Sequence, residues 1–286
     1  MKAKNKNVII TGGTVGFGKA LAEKFLGEGA NISICSRNEQ QLFDTQSELL
    51  SKFPNRIILV KKCDVSIEKD VKEFIAYSLD TFKMIHVLIL NAGVYGPMGP
   101  IETVSLDEWR KSIDINLFGV LLPCRELIPH FKQNKYGKII VLSGGGATNP
   151  MPNLSSYATA KAAVVRLVET LSKELLSYNV DINTIAPGAM STRMMQQVID
   201  AGPEIVGDEF FKKNQNWKQN GATSMELGTN LAVYLSTADS NGVTGKLISA
   251  QWDDWKNFGN HLNDLQNSDI YTIRRIVPED RNKKWN

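Results

Sequence analysis

Tyr157 and Lys161 are the pair of side chains whose types and spacing best suit acid–base chemistry. They lie four residues apart in a segment of helical spacing, so they project side by side, about 40° apart around the axis. A phenol with a reference pKa of about 10 can donate a proton, and a neighbouring cation favours its phenolate. The pair alone is weak support, because about 0.6 Tyr-x-x-x-Lys pairs are expected by chance in this composition. A core aromatic residue beside a solvated lysine would have the same spacing.

A glycine-rich turn, Thr11–Gly18, lies between the first predicted strand and the first predicted helix. Backbone N–H groups and a helix N-terminus at this place can hold a phosphate, and glycine lets the phosphate approach. Gly13-x-x-x-x-Gly18-Lys19 matches the start of a P-loop, but Ala20 stands where a Ser or Thr must ligate Mg²⁺. The spacing also differs from G-x-G-x-x-G, because position 21 is leucine. The turn therefore predicts a dinucleotide phosphate site or a plain tight turn.

The elements that would position these residues are short β-branched runs alternating with longer segments of helical spacing. Runs that are apolar on both faces indicate a parallel sheet covered by helices on two sides. We therefore predict an α/β fold, a single doubly wound, Rossmann-type domain over residues 1–250. The predicted strands are Val8–Thr11, Ile32–Cys35, Ile57–Val60, Val87–Leu90, Ile139–Leu142, Val180–Ile185 and Lys246–Ser249, and the predicted helices are Phe17–Leu26, Glu39–Lys52, Ile67–Phe82, Leu106–Phe131, Ser155–Tyr178 and Met225–Ser236.

Two segments lie outside this alternation. Residues 191–221 are predicted to form a helical insertion over the carboxyl edge of the sheet, near the active site. Residues 251–286 follow the last predicted strand as a C-terminal extension with four large aromatic residues, Trp252, Trp255, Tyr271 and Trp285. A segment this aromatic is unlike a simply disordered tail. We therefore predict that it packs against the domain or against a neighbouring subunit.

Further motifs follow the predicted strands in a fixed order. Asn91-Ala92-Gly93 comes after the fourth strand, Asn116 lies in the next helix, Ser143 follows the fifth strand, and Pro187-Gly188 with Thr192 follows the sixth. With the glycine-rich turn and the Tyr157/Lys161 pair in this order, the chain resembles the short-chain dehydrogenase/reductase family over residues 7 to 250. The resemblance implies a Rossmann-type sheet, a nicotinamide cofactor and reversible carbonyl/alcohol chemistry.

The resemblance also implies roles for individual residues. Tyr157 would be the acid/base, Lys161 would favour its phenolate and bond the nicotinamide ribose, and Asn116 would hold a water of the proton relay. A buried asparagine bonded to backbone is the alternative for Asn116. Asn91-Ala92-Gly93 would line the adenosine side, Asp64-Val65 would contact adenine, and Pro187, Gly188 and Thr192 would meet the nicotinamide. The predicted cofactor-binding residues are Gly12, Thr14, Gly16, Phe17, Gly18, Ser36, Arg37, Asp64, Val65, Asn91, Ala92, Gly93, Tyr157, Lys161, Pro187, Gly188 and Thr192.

One departure from the family concerns the catalytic serine, which in most relatives lies thirteen residues before the tyrosine. Here that position is Gly144, and Ser143 lies one residue earlier. The serine would normally donate a hydrogen bond to the substrate carbonyl. Either the loop Gly144–Gly146 bulges so that Ser143 takes this role, or backbone N–H groups replace the hydroxyl. A second departure is the extension from Gln251, since family members often end soon after the last strand.

The end of the second predicted strand favours NADP(H) over NAD(H). An NAD-binding chain usually places an acidic residue about twenty residues after the glycines, where it bonds the ribose 2′-hydroxyl. Here Ser36, Arg37 and Asn38 occupy that place, and the first acid, Glu39, already lies in the next helix. A guanidinium can bind a 2′-phosphate and stack on adenine, and the family associates such an arginine with NADP. A solvated surface arginine is the alternative.

Composition narrows the function classes further. The 42% hydrophobic and 22% charged residues are typical of a globular protein, and apolar runs are too short to span a bilayer. A net charge of +3 without a concentrated basic patch argues against nucleic-acid binding. The 3 cysteines and 3 histidines are scattered, so neither a disulfide framework nor a metal site is expected. No apolar stretch follows the basic N-terminus, so we predict a cytoplasmic protein.

The sequence thus predicts an NADP(H)-dependent oxidoreductase that interconverts a secondary alcohol and a ketone. The alternative is an NADP(H)-sensing binding protein that kept the fold without turnover. Residues 144–154, 95–100 and 191–221 should form the substrate pocket, which is compatible with sugars, acyl thioesters and small ketones. The resemblance also implies a homo-oligomer, a tetramer or dimer built on the helices Leu106–Phe131 and Ser155–Tyr178, with Val165 and Leu122 as interface or core positions.

Overall fold

Seven parallel strands form one sheet in the computed structural model, which describes residues 1–285. Their spatial order is β3-β2-β1-β4-β5-β6-β7, so the chain winds outward in both directions from the β1/β4 pair. The predicted Rossmann-type α/β fold is confirmed. The strands are β1 (Asn7–Thr11), β2 (Asn31–Ser36), β3 (Ile58–Lys62), β4 (Val87–Leu90), β5 (Gly137–Leu142), β6 (Val180–Ala186) and β7 (Leu247–Ser249).

The central strands are apolar without alternation because both faces of the sheet are covered. Ile9 and Leu88 pack into the core on one face, whereas Ile10 and Ile89 pack into the core on the other. All four side chains are fully buried. Helices on both faces provide this cover, as expected for a parallel sheet.

The helices follow the predicted alternation, with one break. They are α1 (Gly16–Gly27), α2 (Glu39–Lys52), α3 (Glu68–Phe82), α4 (Leu106–Ile113), α5 (Gly119–Asn134), α6 (Ser155–Leu175), α7 (Arg193–Ala201), α8 (Pro203–Val206), α9 (Asp208–Asn220), α10 (Met225–Leu235) and α11 (Leu262–Asn267). None of those in residues 1–285 is long and apolar enough to cross a membrane.

The break divides the helix predicted over Leu106–Phe131. A π-helical turn, Asp114–Phe118, separates α4 from α5. Inside it, the Asn116 amide nitrogen donates to the Ser112 carbonyl oxygen at 2.9 Å, one helical turn earlier. A side chain that bonds a helix carbonyl in this way disturbs the regular backbone ladder, and π-turns concentrate at functional sites. The helical spacing of apolar residues over 106–131 does not reveal such a turn, because the helix axis continues through it.

Helices α7 to α9 form the insertion predicted after β6 and line a cavity at the carboxyl ends of the strands. Gly202 and Gly207 separate them with φ angles of 79° and 84°, which favour glycine. At the base of the insertion, the Thr223 N–H donates to the Ala189 carbonyl at 2.7 Å. The two ends of this segment therefore meet beside Gly188.

The segment after β7 runs back over its own domain. Trp255, Phe258 and Leu265 are buried in the same core cluster as the β1 side chains. The β7 residue Leu247 then donates its N–H to the Tyr271 carbonyl at 2.8 Å, so residues 268–273 cover the outer edge of the sheet. Of the predicted extension, residues 251–286, the last residue, Asn286, lies outside the described part of the chain.

The structure decides one of the two positions that the sequence left open between interface and core. Val165 on α6 is 0% exposed within a single chain, because it belongs to the core and has no surface to offer a partner. Leu122 on α5 is partly buried and packs against the core cluster. Helical spacing could not separate these two outcomes, since α6 is covered on more than one side.

Candidate active site

The glycine-rich turn connects β1 to α1 with backbone that only glycine adopts easily. Gly12 and Gly16 have φ angles of 66° and 54°. A Cβ on Gly18 would lie 2.0 Å from the Gly12 carbonyl oxygen, so the turn could not close around a larger residue. Val15, which precedes α1, makes no side-chain capping bond. The first N–H groups of α1 therefore stay available to an anion such as a pyrophosphate.

Asn91 ties this turn to the end of β4. Its amide nitrogen donates to the carbonyl oxygens of Thr11 and Gly12 at 3.0 and 3.1 Å. In return, the Thr11 hydroxyl accepts the N–H groups of Asn91 and Ala92, both at 3.1 Å. These four bonds join the two central strands at their carboxyl ends. They place Asn91, Ala92 and Gly93 beside the turn, which is the arrangement the motif order predicted.

The far end of the cleft contains the residues predicted to meet the adenosine. Ser36, Arg37, Asp64 and Val65 all line the same cavity as the glycine-rich turn. The Arg37 side chain is 57% exposed, and its guanidinium lies 4.0 Å from the Asp64 carboxylate. An exposed pair at this distance is weak, so Arg37 is free to turn towards another anion. Asp64 is held in place by the Ser66 hydroxyl and N–H, at 2.6 and 3.0 Å.

Tyr157 and Lys161 lie side by side on the buried face of α6. The Lys161 ammonium donates to the Leu142 carbonyl oxygen at 2.8 Å and lies 5.6 Å from the centre of the Tyr157 ring. Burial lowers the pKa of Lys161 to about 8, because the charged form loses hydration. Burial raises the pKa of the Tyr157 phenol for the same reason. In this structure the phenol is therefore a protonated group beside a cation.

The Asn116 side chain is fully buried behind Gly93 and Val94. Its amide nitrogen donates to the Val94 carbonyl at 2.8 Å, and its oxygen accepts the Val94 N–H at 3.1 Å. With the Ser112 bond, both amide hydrogens are occupied. A Cβ on Gly93 would lie 2.9 Å from the Asn116 oxygen and 3.7 Å from the Lys161 nitrogen. The Asn116 oxygen and the Lys161 nitrogen therefore both lie close to Gly93.

Ser143 and Gly144 follow β5 and approach Tyr157 differently. A Cβ on Gly144 would lie 2.8 Å from the Tyr157 hydroxyl, so position 144 faces the phenol directly. The Ser143 hydroxyl is buried and has no hydrogen-bond partner among residues 1–285. It lines the same cavity and forms no bond to Tyr157. The structure thus brings Ser143 to the site while leaving its hydroxyl free.

The predicted nicotinamide side lies over the glycine-rich turn. Gly188 has a φ angle of 96°, and a Cβ there would lie 2.7 to 2.9 Å from the Thr223 side chain. The methyl group of Thr192 lies 3.7 Å from the Cβ position of Gly16. Thr192 therefore lies against the glycine-rich turn, and Pro187, Gly188 and Thr192 all line the cavity.

One cavity of about 1900 Å³ unites the predicted site residues. Asn116 is the exception, because it acts from behind the wall formed by Gly93 and Val94. Of the predicted substrate segments, residues 144–154 and the insertion contribute broadly, while Tyr95 is the part of residues 95–100 that reaches the cavity. The glycine-rich turn, the Tyr157/Lys161 pair and the insertion thus border one continuous cavity.

Sequence reasoning placed Tyr95 in a substrate-pocket segment, residues 95–100, but missed its contact with Tyr157. Its ring packs edge-on against the ring of Tyr157, with centroids 4.9 Å apart and an interplanar angle of 68°. Burial raises the pKa of Tyr95 to about 12. The only signal in the sequence was its place two residues after Gly93, which did not show that the loop turns back onto α6.

The fold and the cleft define a Rossmann-type protein of the dinucleotide-binding class. The chain belongs to the short chain dehydrogenase family, whose sequence pattern it matches over residues 6–202. It is 35% identical over 244 residues to a glucose 1-dehydrogenase of Gluconobacter oxydans, covering 85% of this chain and 89% of that one. It is 30% identical to a levodione reductase of Leifsonia aquatica, covering 84% and 91%, and to a diacetyl reductase of Staphylococcus epidermidis, covering 85% and 96%.

A solved structure agrees with these sequence relationships. A levodione reductase structure superposes with a TM-score of 0.79 at 27% identity, covering 86% of this chain and 96% of that chain. The relatives are dehydrogenases and reductases that act on alcohol and carbonyl groups. The chain is accordingly a carbonyl/alcohol oxidoreductase of a family that uses nicotinamide cofactors.

Proposed function

We propose that this protein is an NADP(H)-dependent oxidoreductase that interconverts a ketone and a secondary alcohol, with Tyr157 as the acid/base. The observation that carries the proposal is the buried Tyr157/Lys161 pair in the same cavity as the glycine-rich turn. The turn would hold the pyrophosphate of a dinucleotide, and Arg37 and Thr192, which line the same cavity, would meet its adenosine and nicotinamide ends. The substrate would then stand between Tyr157 and the insertion.

The nicotinamide, when bound, would give or accept the hydride. In reduction, the Tyr157 phenol donates its proton to the carbonyl oxygen as negative charge develops there. A phenol whose pKa burial has raised is fully protonated at neutral pH, which suits the reductive direction. In oxidation the phenolate is required, and the Lys161 cation 5.6 Å from the ring favours it.

The proton must be replaced after each reduction. The Asn116 oxygen and the Lys161 nitrogen both lie within 4 Å of the place that a Cβ on Gly93 would take. We propose that a water between them connects Tyr157 and Lys161 to the interior, and that Asn116 otherwise holds Val94 in place. The Ser143 hydroxyl, buried without a partner, is the proposed hydrogen-bond donor to substrate oxygen, because an unpaired buried hydroxyl is costly until a ligand satisfies it.

Arg37 supports the choice of NADP(H). No acidic side chain stands at positions 36 to 38, where a carboxylate would repel a 2′-phosphate. Arg37 lies at the adenosine end of the cavity and is only weakly engaged by Asp64, at 4.0 Å. Its guanidinium can therefore offer two N–H groups to the phosphate. We also propose that the protein works in the cytoplasm as a homo-oligomer.

The test is NADPH oxidation with a panel of carbonyl compounds, comparing wild type with Tyr157→Phe. Loss of the phenol should lower kcat by about 10² to 10⁴ while NADPH still binds, because only the proton donor is removed. Tyr234→Phe is the matched control, since Tyr234 is also buried but lies in α10, outside the cavity. A Tyr157→Phe loss below tenfold would refute the assigned acid/base.

The second candidate is a protein that senses NADP(H) without turnover. One observation favours it, namely that Gly144 offers no hydroxyl beside Tyr157. The same panel separates the two functions. Tight NADPH binding with no oxidation of the cofactor by any carbonyl compound would establish the sensor and overturn the enzyme.

A further inference from the structure

Gly144 lies so close to the Tyr157 hydroxyl that position 144 has no room for a side chain. Its backbone is fully extended, with φ −172° and ψ 180°, so its conformation does not itself demand glycine. A Cβ at this position would lie 2.8 Å from the Tyr157 oxygen, 3.8 Å from the ring carbon that bears it and 4.0 Å from the next ring carbon. The conflict is therefore with the reacting atom of the proposed acid/base.

Tyr157 has little freedom to relieve that conflict by moving. Its side chain is buried, and the Tyr95 ring stands edge-on against it with centroids 4.9 Å apart. The Lys161 nitrogen lies 5.6 Å from the same ring. Buried aromatic rings in close contact do not change rotamer without disturbing their neighbours. A side chain at 144 would consequently displace the hydroxyl towards the cavity.

Tyr95 is itself held firmly by the residue that follows it. Gly96 has a φ angle of 73°, and a Cβ there would lie 2.5 Å from Ser112 and 2.8 Å from Ser156. The loop is thus pressed against α4 and α6. These helices are joined by a hydrogen bond from the Trp109 indole to the Ser155 hydroxyl at 3.0 Å. The Tyr95 ring is therefore a fixed wall behind Tyr157.

We propose that Gly144 and Tyr95 are positioning residues that hold the Tyr157 hydroxyl between them, Gly144 by lacking a side chain and Tyr95 by its ring. The inference rests on the proposed function, since it concerns the placement of the proposed acid. It implies that placing at position 144 the serine found there in relatives would not raise kcat. A Gly144→Ser hydroxyl would displace the phenol from the substrate oxygen before it could donate a bond of its own.

A glycine outside the cavity supplies the control. A Cβ on Gly259 would meet nothing within 4 Å, its φ lies outside the left-handed region, and Gly259 does not line the cavity. Gly259→Ala therefore adds the same methyl group without touching Tyr157. Gly144→Ala and Gly144→Ser should lower kcat at least tenfold, with little change in the NADPH dissociation constant, whereas Gly259→Ala should keep kcat within twofold.

Tyr95 is tested by separating its ring from its hydroxyl. Tyr95→Phe keeps the edge-on contact and should retain kcat within about threefold. Tyr95→Ala removes the wall and should lower kcat at least tenfold, with the basic limb of the kcat profile for reduction altered because Tyr157 is no longer fixed beside Lys161. If Tyr95→Phe loses as much activity as Tyr95→Ala, the hydroxyl is the acting group and the positioning role is refuted.

A readout without turnover keeps the inference distinct from the proposed function. In protein with ¹³C-labelled tyrosine, Tyr157→Phe identifies the Tyr157 resonance. Gly144→Ala should shift that resonance and Gly259→Ala should leave it in place. Equal kcat values for the two alanine variants, a faster Gly144→Ser enzyme, or an unshifted resonance would each overturn the inference. If Gly144→Ala shifts the resonance but the wild-type protein oxidises NADPH with no carbonyl compound, the proposed function alone is refuted.

Discussion

At the scale of single residues, burial shifts the pKa values of the groups that form the site. The Lys161 ammonium is 5% exposed and has one protein acceptor within the described chain, the Leu142 carbonyl oxygen. The loss of hydration lowers its pKa to about 8. A cation kept in this state destabilises the folded protein, and its charge is useful only when substrate and cofactor are bound. Function and stability are therefore opposed at this position.

We predict that Lys161→Met abolishes turnover and yet stabilises the protein at pH 7. Because the folded pKa lies below the usual value of 10.5, the unfolded chain binds more protons between about pH 8 and 10.5. Stability of the wild type should rise with pH across that window. The shift limits the gain at pH 7 to about 3 kcal/mol. Denaturant unfolding at pH 7 and pH 10 measures it, and a difference between the two proteins that stays constant with pH contradicts the prediction.

A second prediction concerns Arg37. Wild type should bind NADPH at least tenfold more tightly than NADH, since a charge-assisted bond of about 1.5 to 3 kcal/mol corresponds to roughly 10- to 150-fold. Arg37→Ala should remove most of this gap by weakening NADPH alone, as measured by fluorescence titration. Arg110→Ala is the control, because Arg110 is exposed and lies outside the cavity. Equal affinities for the two cofactors in the wild type would refute the NADP(H) assignment.

At the scale of elements, residues 251–285 after β7 form a segment that lies back over the domain, which we call the strap. Lys246 donates to the carbonyls of Ser268 and Ile270 at 3.2 and 2.8 Å. The Glu169 carboxylate on α6 accepts the Ile273 N–H at 2.6 Å. The buried side chains of Lys246, just before β7, and of Glu169, on α6, thus hold residues 268–273 from two sides. A strand edge that is covered in this way cannot pair with another chain.

We predict that this strap is a large contributor to stability. Phe258 is 3% exposed in the core, so Phe258→Ala should reduce the free energy of unfolding by about 3 to 5 kcal/mol. Trp285→Ala should change it by less than about 0.5 kcal/mol, because Trp285 is 81% exposed. Thermal and denaturant unfolding provide the comparison. Truncation after Ala250 that left solubility, melting temperature and activity intact would show the strap to be dispensable.

At the scale of the whole molecule, two exposed apolar side chains lie on the helical segment 106–131. Leu106 at the start of α4 and Phe118 just before α5 are 58% and 42% exposed, and the family resemblance implies an interface built on this segment together with α6. We predict a homo-oligomer that Phe118→Glu dissociates, measured by sedimentation. Phe43→Glu is the control, since Phe43 is equally apolar and 53% exposed but lies on α2. A monomeric wild type at micromolar concentration would sink the prediction.

The sequence by itself determined the alternation of strands and helices and which loops meet at the carboxyl edge of the sheet. Continuous apolar runs such as Val87–Leu90 and the motif order sufficed, because periodicity and turn glycines are local properties of the chain. The parallel sheet then had to bring the loops after its strands to one edge, which is why Thr11–Gly18, Asn91 and Ser143 meet.

Only the tertiary structure decided which side chains face each other across that edge. It showed that Gly144, and not Ser143, faces the Tyr157 hydroxyl, that Tyr95 turns back onto Tyr157, and that Asn116 interrupts a helix to hold Val94. It also assigned Val165 to the core. These relations depend on packing between segments distant in the chain, and the apolar and polar character of a residue does not carry that information. Distances of a few ångströms between such segments exist only once both have been folded against the same sheet.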